Sequence, residues 1–145
     1  MALEVAEPEH AREFVAQCLA TGRKVMGMGH REYRVVDPRS RMMRALAQQV
    51  AQHPEHVKLL DVLSAVDEAF IEQTREKRRT LRANLEFYKG VVYLALGIPK
   101  EFFTASFAAA RAFGWIAHVM EQRQDNRIIR PAAHYVGPAP RTMTR

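Results

Sequence analysis

The sequence predicts an all-α, multi-helical protein, and three observations carry that reading. Apolar side chains recur every three or four residues along several long stretches, the spacing of one helix face. Residues that start and stop helices flank those stretches, with Asp37-Pro38 and Asn84 at beginnings and Gly22 and Gly97-Ile98-Pro99 at ends. No segment alternates apolar and polar residues strongly enough to compete as a strand.

Taken in order, Glu7-Pro8-Glu9-His10 opens a first helix expected to reach about Ala20, with Phe14, Val15, Cys18 and Leu19 on one face. Asp37 caps the second helix and Pro38 supplies the fixed backbone angle suited to its first position. Met42, Met43, Leu46 and Val50 are expected to face inward along it. Gln52-His53-Pro54-Glu55-His56 reads as a solvated break, because its two histidines have no further ligand at zinc spacing. A third helix follows from Val57 to about Lys77, through Leu59, Leu60, Leu63, Val66, Phe70 and Ile71. The basic run Arg75 to Arg82 is a solvated helix end or a phosphate contact.

Asn84 caps the next helix, which is expected to continue to Gly97 and places Glu86 in its first turn, where negative charge suits the helix dipole. The helix from Lys100 to about Gln122 is apolar on nearly all sides, which predicts burial all round. Arg111 at its middle would then be a buried charge in need of a partner. From Gln124 onward the chain is polar, contains prolines and lacks periodicity, as an extended arm would. The expected division is a helical domain over 1–98, and a hydrophobic helix with its arm over 99–145.

At 145 residues and 48% hydrophobic content, the chain is long enough for a real core. A formal charge of +6 favours anionic partners: nucleic acid, phosphorylated cofactors or carboxylates. The single cysteine, Cys18, excludes an internal disulfide framework, fits a reducing compartment such as the cytoplasm, and is expected to be a buried, inert thiol. Met1 to Glu7 lacks the basic and apolar regions of a secretory leader. The apolar stretch from Phe102 to Met120 is interrupted by Arg111 and His118, and a central arginine alone costs ~2.5–3.5 kcal/mol in a bilayer. No membrane span and no bound metal are expected.

The stretch richest in chemistry is Gly27-Met28-Gly29-His30-Arg31-Glu32-Tyr33-Arg34-Val35-Val36-Asp37-Pro38-Arg39. Gly27 and Gly29 permit backbone angles closed to other residues, or close approach of a ligand. His30 can exchange a proton near neutrality. Arg31, Arg34 and Arg39 carry forked donors suited to carboxylates and phosphates. Such a loop can hold an anionic substrate beside a proton donor.

Gly-x-Gly-His with Asp-Pro-Arg seven residues on resembles the signature of the citrate synthase family. Asn84-Leu85-Glu86-Phe87-Tyr88-Lys89-Gly90 resembles the family's Asn-Val-Asp-Phe-Tyr-Ser-Gly segment. Phe103-Thr104 with Arg111-Ala112-Phe113-Gly114-Trp115 to His118, and Asn126-Arg127-Ile128-Ile129-Arg130-Pro131 with Tyr135-Val136-Gly137-Pro138, continue the likeness in the family's order. Nearly the whole chain is covered, but only the C-terminal part of the family's enzymes, several hundred residues long. The large domain and its Gly-Pro-Leu-His-Gly-Gly segment, which carries a second catalytic histidine, are outside this match.

The resemblance implies condensation of acetyl-CoA with oxaloacetate to citryl-CoA, then hydrolysis to citrate and CoA. By position, His30 faces the ketone and Glu86 stands in place of the catalytic aspartate as general base, one methylene longer. Arg39 and Arg111 hold carboxylates, and Arg130 does so from the partner subunit of a dimer. Arg34 contacts a CoA phosphate, with the backbone of Gly27 and Gly29 near the adenine end. Lys89, one turn beyond Glu86, replaces the usual serine and can pair with the acid. CoA enters as a co-substrate, with no covalently bound cofactor. The expected partners are oxaloacetate, acetyl-CoA and a second copy or a large-domain chain. The alternatives are a 2-methylcitrate synthase piece, a non-catalytic CoA-binding or regulatory module, or a basic helical nucleic-acid binder, which would leave the four blocks unexplained.

Overall fold

A computed structural model describes residues 1–33, 35–75 and 81–139. Six α-helices and two 3-10 turns account for its regular structure, and there is no strand among the described residues. The helices are α1 (Ala2–Val5), α2 (Ala11–Thr21), α3 (Pro38–Val50), α4 (Pro54–Thr74), α5 (Leu85–Ala95) and α6 (Phe103–Gln124). The chain divides into two units, Met1–Phe107 and Ala108–Arg145.

In the first unit α4 is the central element. Leu60, Val62, Leu63, Val66, Ala69 and Phe70 recur along it and are all buried. Against this face pack α2, through Val15 and Cys18, and α5, through Phe87, Tyr88, Val91 and Val92. Each fully buried apolar side chain of this size contributes about 1.5–3 kcal/mol relative to exposure. Cys18 is free and buried, as its place on the amphipathic helix predicts.

Three local expectations are corrected. The helix α4 begins at Pro54 rather than Val57, because a proline needs no backbone donor at the first helical position, and His53 before it is extended. The inward face of α3 is Ser40 and Ala47, while Met42 is 74% exposed and Leu46 40% exposed. Small residues let α3 lie close on α5, and Met43 and Val50 pack at its flank. The chain also forms a short α1 ahead of the first expected helix. It ends in a tight three-residue turn at Ala6 (φ 63°, ψ −47°), where Glu7 N–H donates to Val5 O at 2.8 Å.

A buried polar pair sits within the core. The Tyr88 hydroxyl donates to Asp67 Oδ2 at 2.9 Å, whereas Asp67 Oδ1 is buried without a hydrogen-bond partner among the described residues. Burial pushes the Asp67 carboxyl above its ordinary range, against the opposing hydrogen bond from Tyr88. Burial and the neighbouring Asp67 raise the Tyr88 phenol as well.

In the second unit α6 continues to Gln124, and residues 126–139 are without regular structure. The predicted burial of α6 is not found: no described residue of the helix is buried, and Phe113 is 82% exposed. Arg111 is accordingly an exposed cation rather than a buried one, and its guanidinium lies along its own helix over Gly114. A charge that keeps its water needs no protein partner. No helix among the described residues is long and apolar enough to cross a membrane.

Candidate active site

The glycine-histidine loop is fastened to the start of α5 by its backbone. Gly29 N–H donates to Arg82 O and Asn84 N–H to Gly27 O, each at 2.8 Å, around an antiparallel bridge between Met28 and Ala83. Gly27 and Gly29 take φ of 83° and 85°, in the left-handed region that favours glycine. A Cβ on Gly27 would stand 2.8 Å from Phe87 Cδ2 and 3.2 Å from Phe87 Cα, so the loop also needs glycine for its close approach to α5. Asn84 completes the attachment: its side-chain amide donates to Gly29 O at 2.7 Å, while its Oδ1 caps α5 by accepting from Glu86 N–H at 2.9 Å.

Asp37 joins the second helix to this junction. Its buried carboxylate caps α3 through Arg39 N–H and receives the Leu85 N–H of α5 at 3.4 Å. It also accepts from the Arg39 side chain, Nε at 3.0 Å and Nη2 at 2.9 Å. The Arg39 guanidinium thereby holds the Asp37 carboxyl below the usual carboxylate range, outweighing the opposing effect of burial.

His30 Nδ1 accepts the backbone N–H groups of Glu32 and Tyr33, both at 3.1 Å, and its ring stacks on Tyr33 at 4.5 Å. In the neutral ring this leaves Nε2 as the hydrogen-bearing atom. Arg39 Nη2 lies 3.1 Å from Nε2, bringing the guanidinium edge against the imidazole. An acceptor oxygen between them would take a hydrogen bond from each and relieve the contact of two donors.

His30, Asp37, Arg39, Asn84, Leu85, Glu86 and Phe107 line a cleft of about 270 Å³. On its far side Glu86 and Phe107 also border a larger, apolar cavity of about 720 Å³, with Leu59, Leu63, Val91, Leu94 and Phe103 among its walls. Lys89 reaches from that cavity and forms an ion pair with Glu86 Oε2.

The sequence-predicted residues His30, Arg39 and Glu86 thus line a single cleft, bordered by the loop of Gly27 and Gly29. Arg111 and Arg130 belong to the second unit, and both are exposed there. Arg34 lies outside the described residues, as do residues 76–80 of the basic run. Sequence reasoning took Asp37 for a helix cap and missed that it clamps Arg39. The signal was available, since an Asp-Pro-Arg segment sets acid and base two residues apart at a helix start. His118 pairs with Glu121 at 3.0 Å on the exposed face of α6.

A family model described as the citrate synthase C-terminal domain matches residues 1–132. The chain is 40% identical over 134 residues to a citrate synthase of Deinococcus radiodurans, covering 92% of this chain and 35% of that protein. It is 39% identical over 137 residues to one from Synechocystis, covering 92% of this chain and 33% of the relative. Among solved structures, citrate synthase from Thermotoga maritima superposes with a TM-score of 0.85 at 36% identity, over 100% of this chain and 39% of the other. A ternary complex of Thermoplasma acidophilum citrate synthase with carboxymethyl coenzyme A and oxaloacetate gives 0.88 at 30% identity, over 99% and 39%. The chain therefore spans about a third of the length of the curated relatives it matches.

Proposed function

The chain belongs to the citrate synthase family, and from that premise we propose that it forms the C-terminal part of an acyltransferase site condensing acetyl-CoA with oxaloacetate. The observation that carries this reading is the convergence of His30, Arg39 and Glu86 on one cleft. Glu86 removes a proton from the acetyl methyl group, and the resulting enolate carbon attacks the oxaloacetate ketone. His30 Nε2–H polarises that ketone and gives up its proton as the alkoxide forms. Arg39, together with Arg111 and the Arg130 of a second copy, holds the carboxylates. Gly27, Gly29 and Arg34 contact CoA through backbone and guanidinium. Hydrolysis of the citryl thioester then releases citrate and CoA.

Thiol release from acetyl-CoA, dependent on oxaloacetate, tests the reaction. It is measured with the chain alone and with the preceding part of the Deinococcus radiodurans relative supplied in trans. Turnover in either arrangement that falls at least ~100-fold in His30→Ala supports the reading. Calorimetric binding of CoA without turnover in either would replace it with a non-catalytic CoA-binding module. Binding to arbitrary duplexes with a steep salt dependence would replace it with a nucleic-acid role.

A further inference from the structure

We infer that Lys89 is a positioning residue for Glu86, fixing one carboxylate oxygen so that the other is presented to the cleft; the inference rests on the general-base reading of Glu86. A Glu–Lys pair three residues apart on a helix is ordinarily a solvated surface contact. This one is not. Lys89 is 8% exposed, and its ammonium lies 4.7 Å from the centre of the Phe107 ring and 5.5 Å from that of Tyr93. Tyr93 is itself held edge-on by Phe103 at 5.1 Å. The faces of aromatic rings attract the cation and narrow its rotamers, so the ammonium is a fixed point rather than a swinging one.

From that point Lys89 contacts Glu86 Oε2 on the side of the apolar cavity. Glu86 stands on the wall between that cavity and the cleft of His30 and Arg39, and its side chain is 53% exposed. Free in solvent, a glutamate samples many rotamers across three side-chain torsions. Tethered through Oε2, it keeps the extra methylene folded toward Lys89 and leaves Oε1 as the oxygen available to take a proton. A lysine suits this position because its cation is long enough to reach along the helix and its stem is apolar enough to line the cavity.

Lys89→Met preserves length and apolar stem while removing the cation, and Lys89→Arg restores it. With glutamate labelled with 13C at the carboxyl, the Glu86 signal is assigned by its disappearance in Glu86→Gln. The tether predicts a Glu86 signal distinct from those of exposed glutamates, moving to their position in Lys89→Met and returning in Lys89→Arg. An unmoved signal in folded Lys89→Met, or in Lys89→Gln should the first variant not fold, overturns the inference. In oxaloacetate-dependent turnover, Lys89→Met lowers kcat by ~10-fold or more with an unchanged KM for oxaloacetate, and Lys89→Arg recovers most of it. An unchanged kcat overturns the inference as well. Failure of the wild-type chain to bind oxaloacetate, while the Glu86 signal still follows Lys89, would refute the proposed function and uphold the tether.

Discussion

Asp37 grips Arg39 with both carboxylate oxygens, at 3.0 and 2.9 Å, across the single proline that begins α3. One buried acid thus caps a helix and aims a guanidinium at His30, which couples the stability of the fold to the geometry of the cleft.

That coupling has a pH signature. The folded Asp37 carboxyl titrates below its unfolded value, so its stabilisation is fully present above the unfolded value near 3.8 and is lost as pH falls through the lower, folded one. Asp37→Asn keeps a capping side chain but removes the charged partner of Arg39, and is expected to cost about 1–2 kcal/mol at pH 7, with the deficit shrinking in acid. Urea melts of both proteins at pH 7 and near pH 3 check it.

The Asp67–Tyr88 pair carries the opposite sign. Asp67 titrates higher in the folded state, so its favourable contribution is present below the unfolded value and lost as pH rises through the folded one. Asp67→Asn is therefore expected to gain stability relative to wild type on going from pH 3.5 to pH 7. Tyr88→Phe removes the donor to the acid and should cost about 1–3 kcal/mol at pH 7. Thermal melts across that range separate the two.

Backbone strain gives a paired prediction. Gly27→Ala forces a Cβ into a left-handed residue and against Phe87, and is expected to destabilise by about 2–4 kcal/mol. Ala6→Gly relieves the positive φ at the end of α1 and is expected to stabilise by about 0.5–1 kcal/mol. Equilibrium denaturation measures both, and equal effects would contradict the backbone account.

The exposed apolar surface of α6 bears on assembly. Ile116, Val119 and Met120 share a helix face and are 56%, 56% and 64% exposed. Sedimentation at micromolar concentration is expected to show a dimer that Val119→Glu converts to monomer. A wild-type chain sedimenting cleanly as monomer would remove the basis for a partner-supplied Arg130.

What could be read from the sequence was local. Asp37 and Asn84 cap helices because their short side chains reach the next amides, and nothing distant is needed to see that. The helix positions followed from spacing, and the family likeness gathered His30, Arg39 and Glu86 before any geometry was known. What remained hidden depends on neighbours far along the chain. The inward face of α3 consists of Ser40 and Ala47, which no hydrophobicity pattern marks, because it is closeness to α5 that selects small residues. The exposure of Arg111 and of α6 likewise depends on what surrounds the helix rather than on its composition.

The attachment of Gly29 to Asn84 spans 55 positions of chain. Closing a loop of that length costs about 3–4 kcal/mol in chain entropy alone, with little local reward until α4 and α5 have docked. The histidine loop is therefore among the last parts of the first unit to acquire its shape, and among the slow, non-local steps of folding. A partly folded chain would display helices by circular dichroism yet have no cleft. For the same reason the amides of Gly29 and Asn84 report on the integrity of the site: their hydrogen exchange opens only when the long loop does.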